Sequence, residues 1–192
     1  MALEITSIYE LLDLARDRPG IYGIGGRSFR LLQPFVAGLG YGNLDAGDPP
    51  FWDFKWWAMI RNGHPPTPEP WHWLADQSDE DAYAAWFALL DEYRRCRVVE
   101  LARLPGTVVT FREHWRAENG KPPEPYVPPT PQAIRVGRFA PSEVFFVEQV
   151  FADRGEKLID GFQPSAEKAI DAARQHWRVD PELWNVGGAA AG

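Results

Sequence analysis

The amino-acid sequence predicts an α+β fold, with a helical N-terminal two-thirds followed by a small antiparallel sheet plus a helix at the C-terminus. Three observations predict it. Apolar residues recur at helical spacing in several segments before residue 120. A proline-rich stretch follows, and beyond it apolar and polar residues alternate as they do in strands. Because helices and strands are segregated along the chain, the pattern favours α+β over an alternating α/β sheet.

Three helices are predicted in the first part of the chain. Ser7 caps the first, and Pro19 follows its end. Ser28 caps the second, which ends at Gly40. The third spans about residues 51–61 and is apolar nearly all round, which predicts burial on several sides or an exposed apolar face.

The fourth predicted helix has the clearest pattern in the chain. Ser78 caps it, and apolar side chains from Ala82 to Tyr93 fall on one stripe at helical spacing. A further amphipathic stretch covers about residues 107–118 and ends at Asn119. The helical, tryptophan-rich part is therefore expected to occupy residues 1–120.

Proline punctuates the region after residue 120, with six prolines among residues 121–132. Such a segment is typical of an extended connector. A β-β-β-α lobe, expected to pack on the helical part, then occupies residues 133–184, and residues 185–192 form a tail. Three strands are predicted in this lobe: Ala133–Phe139, Glu143–Ala152 and Glu156–Phe162. A hairpin turn at 153–155 joins the last two, and a helix from Ala166 to Trp177 follows them.

Cysteine content and hydropathy restrict the compartment. One cysteine, Cys96, leaves no partner for an intramolecular disulfide and fits a reducing environment. Residues 1–4 show no basic segment leading into an apolar run, so no signal peptide is predicted. No stretch of about 18 apolar residues is present to span a bilayer. A cytoplasmic protein without membrane association is the expectation.

The net charge of −7 is unevenly distributed. Residues 64–93 contain seven acidic side chains and no lysine or arginine. A nucleic-acid ligand is disfavoured, because phosphate binding requires a dominant basic surface. A basic protein partner would complement this acidic block. The block is Glu69, Asp76, Asp79, Glu80, Asp81, Asp91 and Glu92.

A glycine-rich turn over residues 20–26 precedes the second helix. Backbone amides at a helix N-terminus bind anions, and nearby arginines add positive charge. A small-ligand or anion site, or an enzyme built on one, is therefore one interpretation; a structural connection between helices is the other. The residues of the possible anion site are Gly23, Gly25, Gly26, Arg27 and Arg30.

Aromatic residues are unusually abundant, with nine Trp, eleven Phe and six Tyr. They concentrate in residues 51–57 and 71–73. Burial in a core explains such a cluster, and so does a recognition surface, because Trp and Tyr anchor many interfaces. Trp71 and Trp73 precede the acidic residues directly, which favours a combined aromatic and acidic surface.

Candidate catalytic groups do not form a known constellation. The four histidines are scattered over different segments and show no zinc-ligand spacing. Cys96 follows the apolar stripe of the fourth helix and is expected to be buried and unreactive. No Gly-x-Ser-x-Gly elbow is present. We therefore predict no catalytic residues, no metal and no cofactor.

Residues 16–93 resemble small bacterial proteins found among the immunity proteins of polymorphic toxin systems. The similarity lies in Arg18 to Tyr22, the glycine-rich turn, the stretch from Phe35 to Tyr41 at the end of the second helix, the aromatic run and the fourth helix. It implies a cytosolic, non-enzymatic protein that blocks a cognate toxin. The expected partner surface is Glu69, Trp71, Trp73, Asp76, Asp79, Glu80 and Asp81. Alternatives are a small-ligand protein using the glycine-rich turn and an adaptor using Pro122–Pro131.

Overall fold

The computed structural model describes residues 5–39, 44–45, 47–67, 69–106, 114–116, 124–126, 130–151, 157–177 and 183. The chain forms two compact units, residues 1–97 and 98–192. Four helices make up the first unit, and a four-stranded antiparallel sheet with a C-terminal helix makes up the second. The α+β class predicted from the sequence is confirmed.

The first unit contains helices α1 (Ile8–Asp17), α2 (Phe29–Leu39), α3 (Phe54–Arg61) and α4 (Asp79–Tyr93). Serine residues cap three of them, as predicted. The Ser7 hydroxyl accepts from the Glu10 amide and the Glu10 carboxylate accepts from the Ser7 amide, which is a capping box. The Ser28 hydroxyl accepts from the Leu31 amide, and the Ser78 hydroxyl accepts from the Asp81 amide.

Two tyrosine hydroxyls hold the segment that leads into α3. Tyr9 donates to the Pro49 carbonyl at 2.6 Å, and Tyr93 donates to the Pro50 carbonyl at 2.7 Å. Burial raises the pKa of Tyr93 far above its ordinary value, so the hydroxyl remains a donor throughout the physiological range. The next residue, Phe51, is thereby placed against the ring of Tyr9, 6.1 Å away between centroids.

Three tertiary ion pairs link α4 and the residue after it to the other helices. Arg16 of α1 lies 2.9 Å from Asp91, and Arg61 of α3 lies 2.8 Å from Glu92. Asp13 of α1 pairs with Arg94 at 2.7 Å. All are partly exposed, so each contributes up to about 1 kcal/mol.

The second unit contains strands β1 (Arg97–Pro105), β2 (His114–Arg116), β3 (Glu124–Tyr126), β4 (Ala133–Ala140), β5 (Phe145–Val150) and β6 (Lys157–Gln163). The strand order in the main sheet is β1–β4–β5–β6, and a separate two-stranded sheet pairs β2 with β3. Helix α5 (Ala166–Trp177) packs on one face through Ala169 and Ala173, against Ile134, Val136, Phe145 and Val147.

The other face of this sheet carries an aromatic group and a buried ion pair. Gly137 lies opposite Phe146 in the β4–β5 register, and the Phe146 ring occupies the space where a side chain at 137 would begin. Phe139 packs on the same ring at 5.1 Å between centroids. Glu148, 2% exposed, pairs with Arg135 of the neighbouring strand. A partner this close compensates the cost of burying the carboxylate.

Several elements differ from the sequence-based expectation. The helical part ends at Tyr93, not near residue 120, because Arg97 begins the edge strand β1. Residues 114–116 form strand β2 inside the amphipathic stretch predicted for 107–118, whose other residues lie outside the described part. Residues 124–126 of the expected connector form strand β3. The strands and the helix predicted beyond residue 133 are confirmed, whereas the turn at 153–155 and the tail lie outside the described residues.

Candidate functional site

The aromatic cluster is partly core and partly surface. Phe54, Trp57 and Trp86 are each at most 1% exposed. The Phe54 ring contacts both indoles and Tyr93, and Trp57 also contacts Tyr93, with centroid distances of 5.2–6.3 Å. In contrast, Trp52 is 42% exposed. The core interpretation is therefore confirmed for the buried rings, whereas a recognition role for the exposed part stays a prediction.

An open cleft of about 450 Å³ lies between α2 and the two segments that carry Trp52 and Trp71. Leu32, Val36 and Ala37 line it from α2, and the buried rings of Phe54 and Trp86 line its inner part. Phe51, Trp52, Pro70 and Trp71 complete the apolar lining, and Gln33 and Lys55 are the polar residues. Clefts of this size and composition are typical of binding sites.

Helix α2 forms the more exposed side of the cleft. Of its apolar residues only Phe29 and Leu32 are buried, and Leu31 is 45% exposed. Ile21, in the preceding turn, is 71% exposed. The cleft residues of α2 were not predicted as site residues, although apolar side chains on more than one face of this helix were a signal for them.

Trp71 and Trp73, the two predicted anchors, lie beside each other at 5.6 Å between ring centroids. Trp71 also packs on Phe54 at 5.3 Å and lines the cleft. Trp73 stacks on the ring of His64 at 4.6 Å and 13°. Both indoles are half-buried, so each keeps some surface for a partner.

The acidic block does not form one continuous surface. Asp91 and Glu92 pair with arginines of α1 and α3, as described above. Asp81 accepts a hydrogen bond from the Ser78 hydroxyl at 2.6 Å as part of the helix cap. Glu69, Asp76 and Glu80 are exposed and form no ion pair within the described part of the chain. The sequence-level charge of this segment is therefore larger than the charge available to a partner.

Asp79 has a structural partner that the sequence did not predict. Its carboxylate accepts from the Arg30 amide at 2.9 Å and also from the Ser28 hydroxyl, at the N-terminus of α2. These hydrogen bonds hold the pKa of Asp79 below its ordinary value, and the one from Ser28 has the largest effect. A residue assigned to the partner surface thus caps a helix from a distance of 49 positions in the chain.

The glycine-rich turn has the backbone expected of a sharp connection. Gly23, Gly25 and Gly26 have φ of 73°, 38° and 66°, and Arg27 has φ of 64°. Glycine adopts such angles at little cost, which explains the composition of the turn. Because the Asp79 carboxylate already occupies the α2 N-terminus beside Arg30, an external anion there would meet a negative charge. The structural interpretation of the turn is favoured by this arrangement.

Replacing Asp79 by Asn is expected to destabilise the first unit at neutral pH and to flatten the acid side of its stability profile. A carboxylate whose pKa is lowered on folding contributes stability above its unfolded pKa of about 3.9. That contribution is lost as pH falls through the folded value, so parent and variant converge in acid. Urea unfolding from neutral pH down to about pH 2 measures this. Glu80→Gln, at the next and exposed position, is the control; equal effects of the two changes would contradict the assignment.

Neither a metal-ligand cluster nor a membrane-spanning helix occurs among the described residues. No group of three or more His, Cys, Asp or Glu side chains among them is arranged to hold a metal ion. None of the helices in this part of the chain is both long and apolar enough to cross a bilayer. Cys96, three residues after the end of α4, is 3% exposed, and its predicted burial is confirmed.

The first unit thus combines an apolar cleft, two half-buried indoles and three exposed carboxylates, and the second a sheet covered by α5. No protein-family model, no curated protein and no solved structure matches the chain significantly.

Proposed function

We propose that this chain is a non-enzymatic binding protein that neutralises a basic protein partner, in the manner of a bacterial immunity protein. The observation that carries the proposal is that Trp71 and Trp73, in ring contact with each other, lie within three residues in the sequence of the exposed carboxylates of Glu69 and Asp76. Aromatic anchors with a charged rim are typical of protein interfaces.

The two parts of this surface have different roles. Half-buried indoles lose little conformational freedom on binding and bury a large area, so Trp71 and Trp73 supply affinity. The carboxylates of Glu69, Asp76 and Glu80 attract a basic partner before contact and raise the association rate. Asp79 and Asp81 belong to helix caps, so they contribute to the local negative potential but are not proposed to leave their caps for a partner.

The adaptor interpretation remains a prediction. Of the segment Pro122–Pro131, only residues 124–126, 130 and 131 lie within the described part, where 124–126 form strand β3. Nothing in that strand favours a proline-recognition mode over the proposal above.

The proposal is tested with the product of the neighbouring gene as the partner, measured by surface plasmon resonance. The double change Asp76→Lys and Glu80→Lys is expected to slow association by about 10-fold or more at low salt. The effect should shrink as salt screens the charges. Trp73→Ala is expected to act on the dissociation rate instead.

A matched control reverses the same number of exposed charges in the second unit. Glu167→Lys with Asp171→Lys, on α5, alters the net charge equally and is expected to leave both rate constants unchanged. Equal slowing by both double variants would show a net-charge effect and contradict the assigned surface. A neighbouring product that does not bind the chain at all would overturn the proposed function.

A further inference from the structure

The cleft beside α2 has a polarity that differs from that of the acidic surface. None of the described residues that line it is acidic, and Lys55 is the one charged side chain among them. Gln33 supplies the other polar group, and the remaining lining is aliphatic or aromatic. A few polar groups on an apolar wall orient a ligand, whereas the apolar surface supplies most of the affinity.

Lys55 is available to a ligand. Its ammonium lies 4.5 Å from the ring centroid of Trp56, in a cation–π contact, and pairs with no carboxylate of the described residues. The side chain is exposed, so it can move towards a ligand at low cost. An ammonium at the edge of an apolar cleft favours an anionic group joined to an apolar body.

We propose that this cleft binds a small amphipathic carboxylate, with its aromatic or aliphatic body between α2 and the indoles of Trp52 and Trp71 and its carboxylate at Lys55. The volume of about 450 Å³ matches that of sites for small organic molecules. Charge complementarity distinguishes this ligand from a basic peptide, which Lys55 would repel. The site shares Trp71 with the surface proposed for the protein partner, but the ligand proposal does not rest on that partner.

The test uses the full chain and two probes of the same shape, 1-naphthaleneacetate and its uncharged amide, in isothermal titration calorimetry. The carboxylate is expected to bind with a dissociation constant on the order of 10–100 μM. The amide should bind about 5- to 10-fold more weakly, because it lacks the charge-assisted contact with Lys55. In NMR spectra the indole N–H signals of Trp52 and Trp71 should shift with the carboxylate.

Two pairs of variants locate the site. Lys55→Gln should remove the preference for the carboxylate, whereas Arg18→Gln, an exposed charge outside the cleft lining, should keep it. Ala37→Trp fills the cleft and should weaken both probes by about 10-fold or more. Gly38→Trp, the next and exposed position of α2, does not line the cleft and should leave binding unchanged.

Three results would overturn the proposal. The first is that neither probe binds. The second is equal binding of acid and amide, which would remove the role of Lys55. The third is binding that Ala37→Trp leaves intact in a variant whose unfolding curve matches the parent.

Discussion

Replacing Trp86 by alanine is expected to lower the free energy of unfolding of the first unit by about 3–5 kcal/mol. Trp86 is 1% exposed, so the change removes a fully buried indole. The ring also makes edge contacts with Phe54 at 5.2 Å and with Phe87 at 5.0 Å between centroids. Such contacts add about 0.5–1.5 kcal/mol each beyond the area they bury. Urea unfolding followed by near-ultraviolet circular dichroism measures the loss.

Trp52→Ala is the matched control for this prediction. The Trp52 side chain also contacts an aromatic neighbour, Phe51, at 5.5 Å, but it is 42% exposed. Because much of its surface is already in water, its removal should cost less than half as much as that of Trp86. Similar losses for both variants would contradict the assignment of Trp86 to the centre of the core.

Replacing Gly137 by alanine is expected to destabilise the second unit by about 1–3 kcal/mol, with a larger loss for valine. A Cβ atom at this position would lie 2.2–2.8 Å from three atoms of the Phe146 ring. Phe146 is 1% exposed, so the ring has no solvent-filled space into which to move. Hydrogen exchange of the β4 and β5 amides measures the effect as faster exchange over residues 133–150.

A double-mutant cycle separates this clash from a general effect of replacing glycine. Phe146→Leu shortens the side chain that the new methyl group meets, so Gly137→Ala should cost less in that background, with a coupling of about 1 kcal/mol. Gly161→Ala in β6 is the control, because a Cβ atom there would lie 3.7 Å from its nearest neighbour, Nε2 of Gln163, which is an ordinary contact. A loss at Gly161 equal to that at Gly137 would refute the steric explanation.

Local patterns in the sequence predicted much of the fold. The capping serines Ser7 and Ser78 act on amides three positions away, so the information lies within one helical turn. Alternation likewise predicted the strands of the β4–β5–β6 meander. Strand β1 was missed because its apolar residues do not alternate, and at the sheet edge it pairs with one neighbouring strand only.

The candidate site was less predictable, because its electrostatics depend on distant partners. Asp79 belongs to a run of acidic residues and gives no local sign that it caps α2, 49 positions earlier. Asp91 and Glu92 likewise pair with arginines 75 and 31 positions away, so they are not available to a partner. The cleft combines side chains from α2, from residues 51–55 at the start of α3, from residues 70–71 and from α4, so no single stretch of sequence carries its signal.

The ion pairs of α1 with Asp91 and Arg94 also limit how early the first unit can be completed during synthesis. Asp13 and Arg16 meet partners 81 and 75 residues later, so these contacts close nearly the whole unit into a loop. At a synthesis rate of about 5–20 residues per second, Asp91 and Arg94 are added several seconds after α1. Contacts of such high sequence separation form late in folding and slow it. Until Arg94 has left the ribosome, the carboxylate of Asp13 lacks its ion-pair partner, so this contact is among the last that the first unit can form.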